Sequence, residues 1–352
     1  MAAADALDLA DRARRRAEWR QIAIIAAIGC VGGIVFGAAI AKPPATPVSS
    51  ALQGVVNSLA VSVPIMWVEL DGRHGGAMSR LRRLPFVLYL LAKSLVYLAI
   101  IAAGTQATRL AFNVIHPQPL GFDRAFVDIL IFAGIFSIAA NLVIEVGTLV
   151  GFRTLGRLIT GRYMRPRVED RIFVLVDMVD STGAAERLGD LAFHRLLAAF
   201  FEDVATTALE AGAEVHKFVG DEAILTWPME PPANAGRALL YPFLLRRRLA
   251  RRAAVYRDRF GVAPAFRAAA HSGPVVAGEM GLGKREIAFL GDTLNTASRL
   301  LAACRETGAD TLASRALVDR GPPPAGVVAD AVPPLALRGK DRPLDVAALR
   351  LA

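Results

Sequence analysis

Four long apolar runs occupy the first half of the chain, at roughly Ile22 to Ala41, Leu52 to Leu70, Leu84 to Gly104 and Ala125 to Phe152. Each is close to the ~20 residues that a helix needs to cross a bilayer. The second is the most polar, with Asn57, Ser58, Ser62 and Pro64 inside it. The first reads as a retained span rather than a cleaved secretory signal. Its apolar stretch is long, a charged leader precedes it, and Ala41 is followed by Lys42-Pro43-Pro44. The pattern predicts an all-α bundle of four transmembrane helices over 21–152, after a leader over 1–20. Lys93 and Glu145 lie inside the third and fourth spans at similar depth. Charges in lipid are costly and pair inside a bundle, so an ion pair between them is expected, with snorkelling of Lys93 as the alternative.

From Arg171 the pattern changes. Arg171 to Asp177 is a short run of β-branched and aromatic residues, which reads as a buried strand. Ser181-Thr182 then caps a stretch with helical apolar spacing through Leu188, Leu196, Phe200 and Val204. Glu214 to Trp227 reads as a hairpin with Gly220-Asp221-Glu222 at its tip. A long helix with Arg246, Arg247, Arg248, Arg251 and Arg252 follows, its charge run taken as a solvated face. Phe266 to Val276 and Glu286 to Leu290 read as strands, and Thr293 to Cys304 as a helix. A stretch rich in Pro and Gly ends in a strand near Val346 to Leu349. This β-α-β-β-α-β order predicts an α+β sheet with packed helices over 171–352. The connector over 153–170 is short enough to couple the two parts mechanically.

Composition agrees with a mixed protein: 352 residues, 54% hydrophobic. The net charge is +9, and its placement explains it. Arginines cluster in the leader (Arg12, Arg14, Arg15, Arg16, Arg20), between the second and third spans (Arg73, Arg80, Arg82, Arg83) and after the fourth (Arg153, Arg157, Arg162, Arg165, Arg167). Positive residues stay in the cytoplasm, so an even number of crossings keeps all three blocks there. The expected placement is multi-pass in the inner (plasma) membrane, with the lipid bilayer as a partner and both the N-terminus and the α+β domain cytoplasmic. Topology thereby accounts for the basic excess and removes the main argument for a nucleic-acid partner. Cys30 and Cys304, the two cysteines, have no metal-ligand spacing and read as reduced thiols. His271 has no second His or Cys nearby and reads as structural.

Asp177 ends a predicted strand and Asp221 sits at a predicted hairpin tip. If the two elements are sheet neighbours, both carboxylates reach one edge, where they repel unless a cation lies between them. Such hard oxygen ligands suit Mg²⁺ or Mn²⁺. Directly after Asp177, the turn Met178-Val179-Asp180-Ser181-Thr182 opens a helix whose free N–H groups can cradle phosphates. Metal ions beside a helix N-terminus describe a phosphoryl-transfer site. Asn295 and Arg299, four apart, share a helix face. Glu222 is expected on the opposite side of the hairpin from Asp221.

Five ordered motifs carry a resemblance: Phe173 to Thr182, Lys217-Phe-Val-Gly-Asp221, His271 to Gly278, Gly291 to Arg299, and Leu337-Arg-Gly-Lys340. From about Arg162 onward the chain resembles the class III adenylate/guanylate cyclases, and with its bundle it is similar to their membrane-anchored bacterial members. The resemblance implies a ferredoxin-like βαββαβ catalytic domain and conversion of ATP to 3′,5′-cyclic AMP and pyrophosphate. It implies two Mg²⁺ or Mn²⁺ ions per site, held by Asp177, Asp221 and the Met178 carbonyl. Lys217 would read the purine, and Val179 to Thr182 would face the triphosphate. Asn295 would orient the ribose, Arg299 would stabilise the transition state, and Arg338 would hold the terminal phosphates. It also implies a homodimer, with each active site at the interface and Asn295 and Arg299 supplied across it.

Two positions depart from the family pattern. Ala288 stands where adenylate cyclases carry Asp or Thr to accept from the adenine amino group, and Asp180 stands where Gly is frequent. An ammonium only donates hydrogen bonds, and adenine N1 accepts one while guanine N1 carries a hydrogen, so Lys217 favours adenine. Guanylate cyclase and a non-catalytic membrane receptor with a nucleotide-binding domain are the competing readings. The Gly-Gly-Asp-Glu-Phe signature of diguanylate cyclases does not occur.

Overall fold

The computed structural model describes residues 46–73, 84–113, 121–151 and 160–352, apart from 283–284, 322, 338 and 340–341, together with isolated positions elsewhere. The chain divides near residue 155 into two compact units.

The helical unit contains α1 (Pro47–Arg73), α2 (Phe86–Phe112) and α3 (Arg124–Val150). Each holds an apolar stretch long enough to cross a membrane: 23 residues in α1, 27 in α2 and 22 in α3. The expected span over 22–41 lies largely outside the described residues. Helix α2 packs against both α1 and α3, and Lys93 of α2 bridges the three. Its side chain is 2% exposed, and its Nζ lies 2.7 Å from Glu69 of α1 and 3.0 Å from Glu145 of α3. The expected Lys93–Glu145 pair is therefore present and Glu69 joins it. The Tyr97 hydroxyl donates to Glu69 as well. One turn away on α3, Asn141 donates to Ser94 at 3.2 Å and to Ser137 at 3.3 Å. An ammonium buried this deeply is tolerable only with carboxylates against it.

The sheet unit begins with β1 (Arg167–Met178), α4 (Ser181–Leu188) and α5 (Asp190–Glu210). The hairpin β2 (Glu214–Val219) and β3 (Glu222–Pro228) precedes α6 (Ala233–Phe260). Then come β4 (Phe266–Met280), β5 (Glu286–Leu290), α7 (Asp292–Thr307), β6 (Thr311–Ser314), α8 (Arg315–Arg320), β7 (Val327–Leu335) and β8 (Leu344–Leu351). The strands order as β2-β3-β1-β4-β6-β8-β7, with β5 paired to β4. This is the expected α+β class, with the βαββαβ core at β2-β3-β1-β4.

Strand β1 is central, so both its faces are buried. Ile172, Val174, Val176 and Met178 pack with α4, α5 and α6, while Phe173 and Leu175 pack with α7 and β5 on the other face. Helices thus cover both faces of the sheet. The single helix expected after Ser181 is broken at Gly189 (φ 76) into α4 and α5. The arginine run of α6 is not simply a solvated face. Asp203 of α5 is fully buried and accepts from Arg248 at 2.8 Å, Arg252 at 2.5 Å and the Tyr256 hydroxyl at 2.7 Å. Strands β6 and β7 were not expected, since one is four residues long and the other carries Pro333 and Pro334.

Removing Lys93 strands two carboxylates in the bundle. Lys93→Met should destabilise the detergent-solubilised protein by roughly 3 kcal/mol. Combining it with Glu69→Gln and Glu145→Gln should restore most of the loss, read from thermal unfolding midpoints.

Candidate active site

Register builds the acidic end of the site. Strand β1 pairs antiparallel with β3 so that Asp177 lies directly opposite Glu222. Residues paired in this way point their side chains to the same face. Glu222 therefore shares the face of Asp177, which corrects the expectation that it would turn away. The hairpin tip folds back on the strand end, with the Met178 N–H donating to the Asp221 carbonyl at 3.4 Å. Gly220 makes the tight turn possible, since its φ of +61 is what a two-residue turn with glycine first requires. Burial and then the neighbouring Asp221 carboxylate push the Asp177 carboxyl above its ordinary range. Burial, with Asp177 and Asp221 beside it, pushes Glu222 up to about 7.

Among the described residues no three His, Cys, Asp or Glu side chains are close enough to form a metal cluster. A divalent ion here would take two carboxylates and complete its shell with a backbone carbonyl, phosphate oxygens and water. That hard-oxygen, partly hydrated set fits Mg²⁺ or Mn²⁺. Negative charge gathered at a half-buried edge, which adds to burial in raising Asp177, is what such an ion would relieve.

Beside the acids, α4 starts at Ser181, with Ser181 and Thr182 in its first turn. The Val179 N–H is engaged by the Ala265 carbonyl at 2.8 Å, and the first intrahelical bond runs from Ala184 to Asp180. The amides between them carry no helical partner, as at any helix start. Asp180 has φ 57, in the left-handed region. Glycine adopts this region most readily, and Asp tolerates it better than most residues. Its carboxylate turns to Arg187 at 2.8 Å.

Lys217 stands on β2 opposite Ile224, after a bulge at His216. Its Nζ lies 3.2 Å from Glu286 of β5. Ala288, two residues along β5, shares the outward face of Glu286, while Ile287 and Phe289 turn into the core. The His216 ring packs edge-on against Phe289, and burial holds the imidazole down to about 4.

Asn295 and Arg299 project from α7, whose opposite face, through Ala297, Leu300, Leu301 and Cys304, is buried on the sheet. Asn295 is exposed. The Arg299 guanidinium lies against Gly339, where a Cβ would sit 3.4 Å from Nη2. Gly339 also has φ +73, so both its conformation and its missing side chain serve that approach. Arg299 Nη1 is buried without a hydrogen-bond partner among the described residues. Arg338 lies outside the described residues. Arg305, not singled out from the sequence, reaches Asp177 Oδ2 at 3.4 Å from the last turn of α7. Only its position as a basic residue ending a helix could have drawn notice.

An α+β sheet domain with an acidic strand-and-hairpin edge, in one chain with apolar membrane-length helices, narrows the class. No protein-family model matches the chain. It is 30% identical over 301 residues to adenylate cyclase 2 of Rhizobium meliloti (strain 1021), covering 85% of this chain and 83% of that protein. Among solved structures, the adenylyl cyclase CyaB from P. aeruginosa is 19% identical at a TM-score of 0.46, covering 53% of this chain and 97% of that one. The guanylyl cyclase Cya2 is 15% identical at 0.47, covering 53% and 93%. The chain belongs to the class III nucleotide cyclases, by its likeness to the rhizobial enzyme over most of both proteins.

The raised Glu222 carboxyl has a stability consequence. Its protonated form is favoured in the fold, so its contribution is complete below the unfolded value near 4.5 and is lost as pH rises towards about 7. In metal-free protein, Glu222→Gln should unfold at a higher temperature than wild type at pH 8. The gain should shrink to nothing by about pH 4, where both chains carry a neutral group; thermal scans across pH measure it.

Proposed function

We propose that the chain is a membrane-bound adenylate cyclase that converts ATP to 3′,5′-cyclic AMP and pyrophosphate at a homodimer interface. The single observation that supports the reading is the fold-back of the hairpin tip, which carries Asp221, onto the end of β1, which carries Asp177, beside the N-terminus of α4. Asp177, Asp221 and the Met178 carbonyl would hold two Mg²⁺ or Mn²⁺ ions. Bound there, these ions lower the pKa of the attacking 3′-hydroxyl and neutralise the leaving pyrophosphate. The amides of Asp180 to Thr182 donate to the phosphates, aided by the helix dipole. Arg299, with a buried donor that has no partner among the described residues, offsets charge that develops on the phosphoryl oxygens. Asn295 orients the ribose from the next turn of the same face. Lys217 donates to adenine N1, and Arg338 holds the terminal phosphates.

Helix geometry supports a site shared between two chains. Arg305 of α7 touches Asp177, and Asn295 lies ten residues earlier, roughly 15 Å along the axis at 1.5 Å per residue. Within one chain, Asn295 is too far from the aspartates to act on a ribose bound beside them. A second copy, related by a two-fold axis, can bring its Asn295 and Arg299 to the acids. The arginine blocks place the N-terminus and the catalytic domain in the cytoplasm.

The guanylate cyclase reading draws on Ala288, which offers the adenine amino group no acceptor. Purified protein assayed with ATP and with GTP decides between them. The shared site is tested by mixing chains. Asp221→Ala and Asn295→Ala homodimers should each lose at least about 100-fold in kcat. Mixed together, they form a heterodimer with one intact site and regain up to about a quarter of wild-type activity, by random pairing. No recovery in demonstrably mixed dimers overturns the shared site.

A further inference from the structure

We infer that Glu286 supplies the hydrogen-bond acceptor for the adenine amino group that Ala288 cannot, which makes it the base-specificity residue of this chain. The inference rests on the adenylate cyclase reading and deepens it. An adenine presents N1 and its exocyclic amino group side by side on one edge. A protein that reads both must hold a donor and an acceptor next to each other. Lys217 Nζ and Glu286 Oε1 are such a couple, 3.2 Å apart and each about half exposed. The ammonium has three hydrogens, so it can keep Glu286 and still donate to N1. The carboxylate only accepts, so it takes the amino hydrogen of adenine and repels the O6 carbonyl of guanine, which also only accepts.

Strand periodicity puts Glu286 in the right place. Residues 286 and 288 of β5 face the same way, outward, while Ile287 and Phe289 anchor the strand in the core. The contact with Lys217 turns the Glu286 carboxylate towards the base-reading ammonium. Strands β2 and β5 share no backbone ladder, because β2 pairs with β3 and β5 with β4. Side chains bridge them: Lys217–Glu286 outside, and His216 against Phe289 within, the latter remaining when the former is removed. An exposed ion pair adds little to folding stability, so removing it leaves the fold in place.

The test compares kcat/KM for ATP and for GTP in the full-length protein. Wild type should prefer ATP. In Glu286→Gln the side-chain amide accepts at one atom and donates at the other, so the ATP/GTP ratio should fall about tenfold or more, with part of the change a gain on GTP. Glu286→Ala should lower the ratio similarly, and Ala288→Asp added to that chain should restore it, which misfolding could not do. Arg285→Ala, which breaks a neighbouring exposed pair with Glu279, should leave the ratio unchanged. An ATP/GTP ratio unmoved in both Glu286 variants, whatever happens to the overall rate, overturns the role. A wild-type protein that prefers GTP, or turns over neither nucleotide, overturns the adenylate cyclase reading itself.

Discussion

The pairing of β1 with β3 sets Asp177 against Glu222 and brings the β2–β3 tip over the end of β1. Side chains alternate along a strand, so a slip of one residue would send Asp177 into the layer of Val176 and Met178, against α4 and α5. The buried alternation of β1 forbids that slip, because every apolar residue from Ile172 to Val176 would change faces with it. The hydrophobic core thereby places an acidic group whose own energetics oppose the place. Burial and like charge both disfavour its ionised form, and the packing of the strand holds it there.

Among the described residues, buried and half-buried charge is treated in two ways. Lys93 is met by Glu69 and Glu145, and Asp203 by Arg248, Arg252 and Tyr256. In both, opposite charges and hydrogen bonds join neighbouring helices. At the end of β1 the balance differs. Asp177 meets Arg305 at 3.4 Å and, more weakly, the field of Arg267, while Glu222 has Asp177 and Asp221 beside it. Structural charges are satisfied where they stand; the acidic edge keeps an excess that a cation from outside would complete.

Helix α7 serves both the core and the proposed chemistry. Its inner face is fixed on the sheet by Ala297, Leu300 and Cys304, and its outer face carries Asn295 and Arg299. Rigid anchorage on one side gives the other side defined positions, which proximity effects demand of groups that meet a transition state.

Much of this was legible from residue order. Periodicity located the apolar helices, the buried run of β1, the hairpin and α7, because each is long or strongly patterned. Asp177 and Asp221 stood out because they sit at the end and the tip of such elements, whereas Lys217, Asn295 and Arg299 were marked only by the resemblance to the class III cyclases. Strand β6 is too short to show a period, and the prolines of β7 argue against a strand. Gly189 breaks a helical pattern whose apolar spacing runs on without a gap. Glu69 sits at the very end of an apolar run, where a charge looks interfacial. What the sequence by itself determined is therefore local: which segments are helix or strand, which face of each is apolar, and the chemical type of each side chain. Tertiary structure alone decided which charges meet. Glu69 with Lys93, Glu222 with Asp177, Glu286 with Lys217 and Arg305 with Asp177 are separated by 24 to 128 positions along the chain. Local propensity reaches only a few residues, and contacts at such range are chosen by sheet register and helix packing.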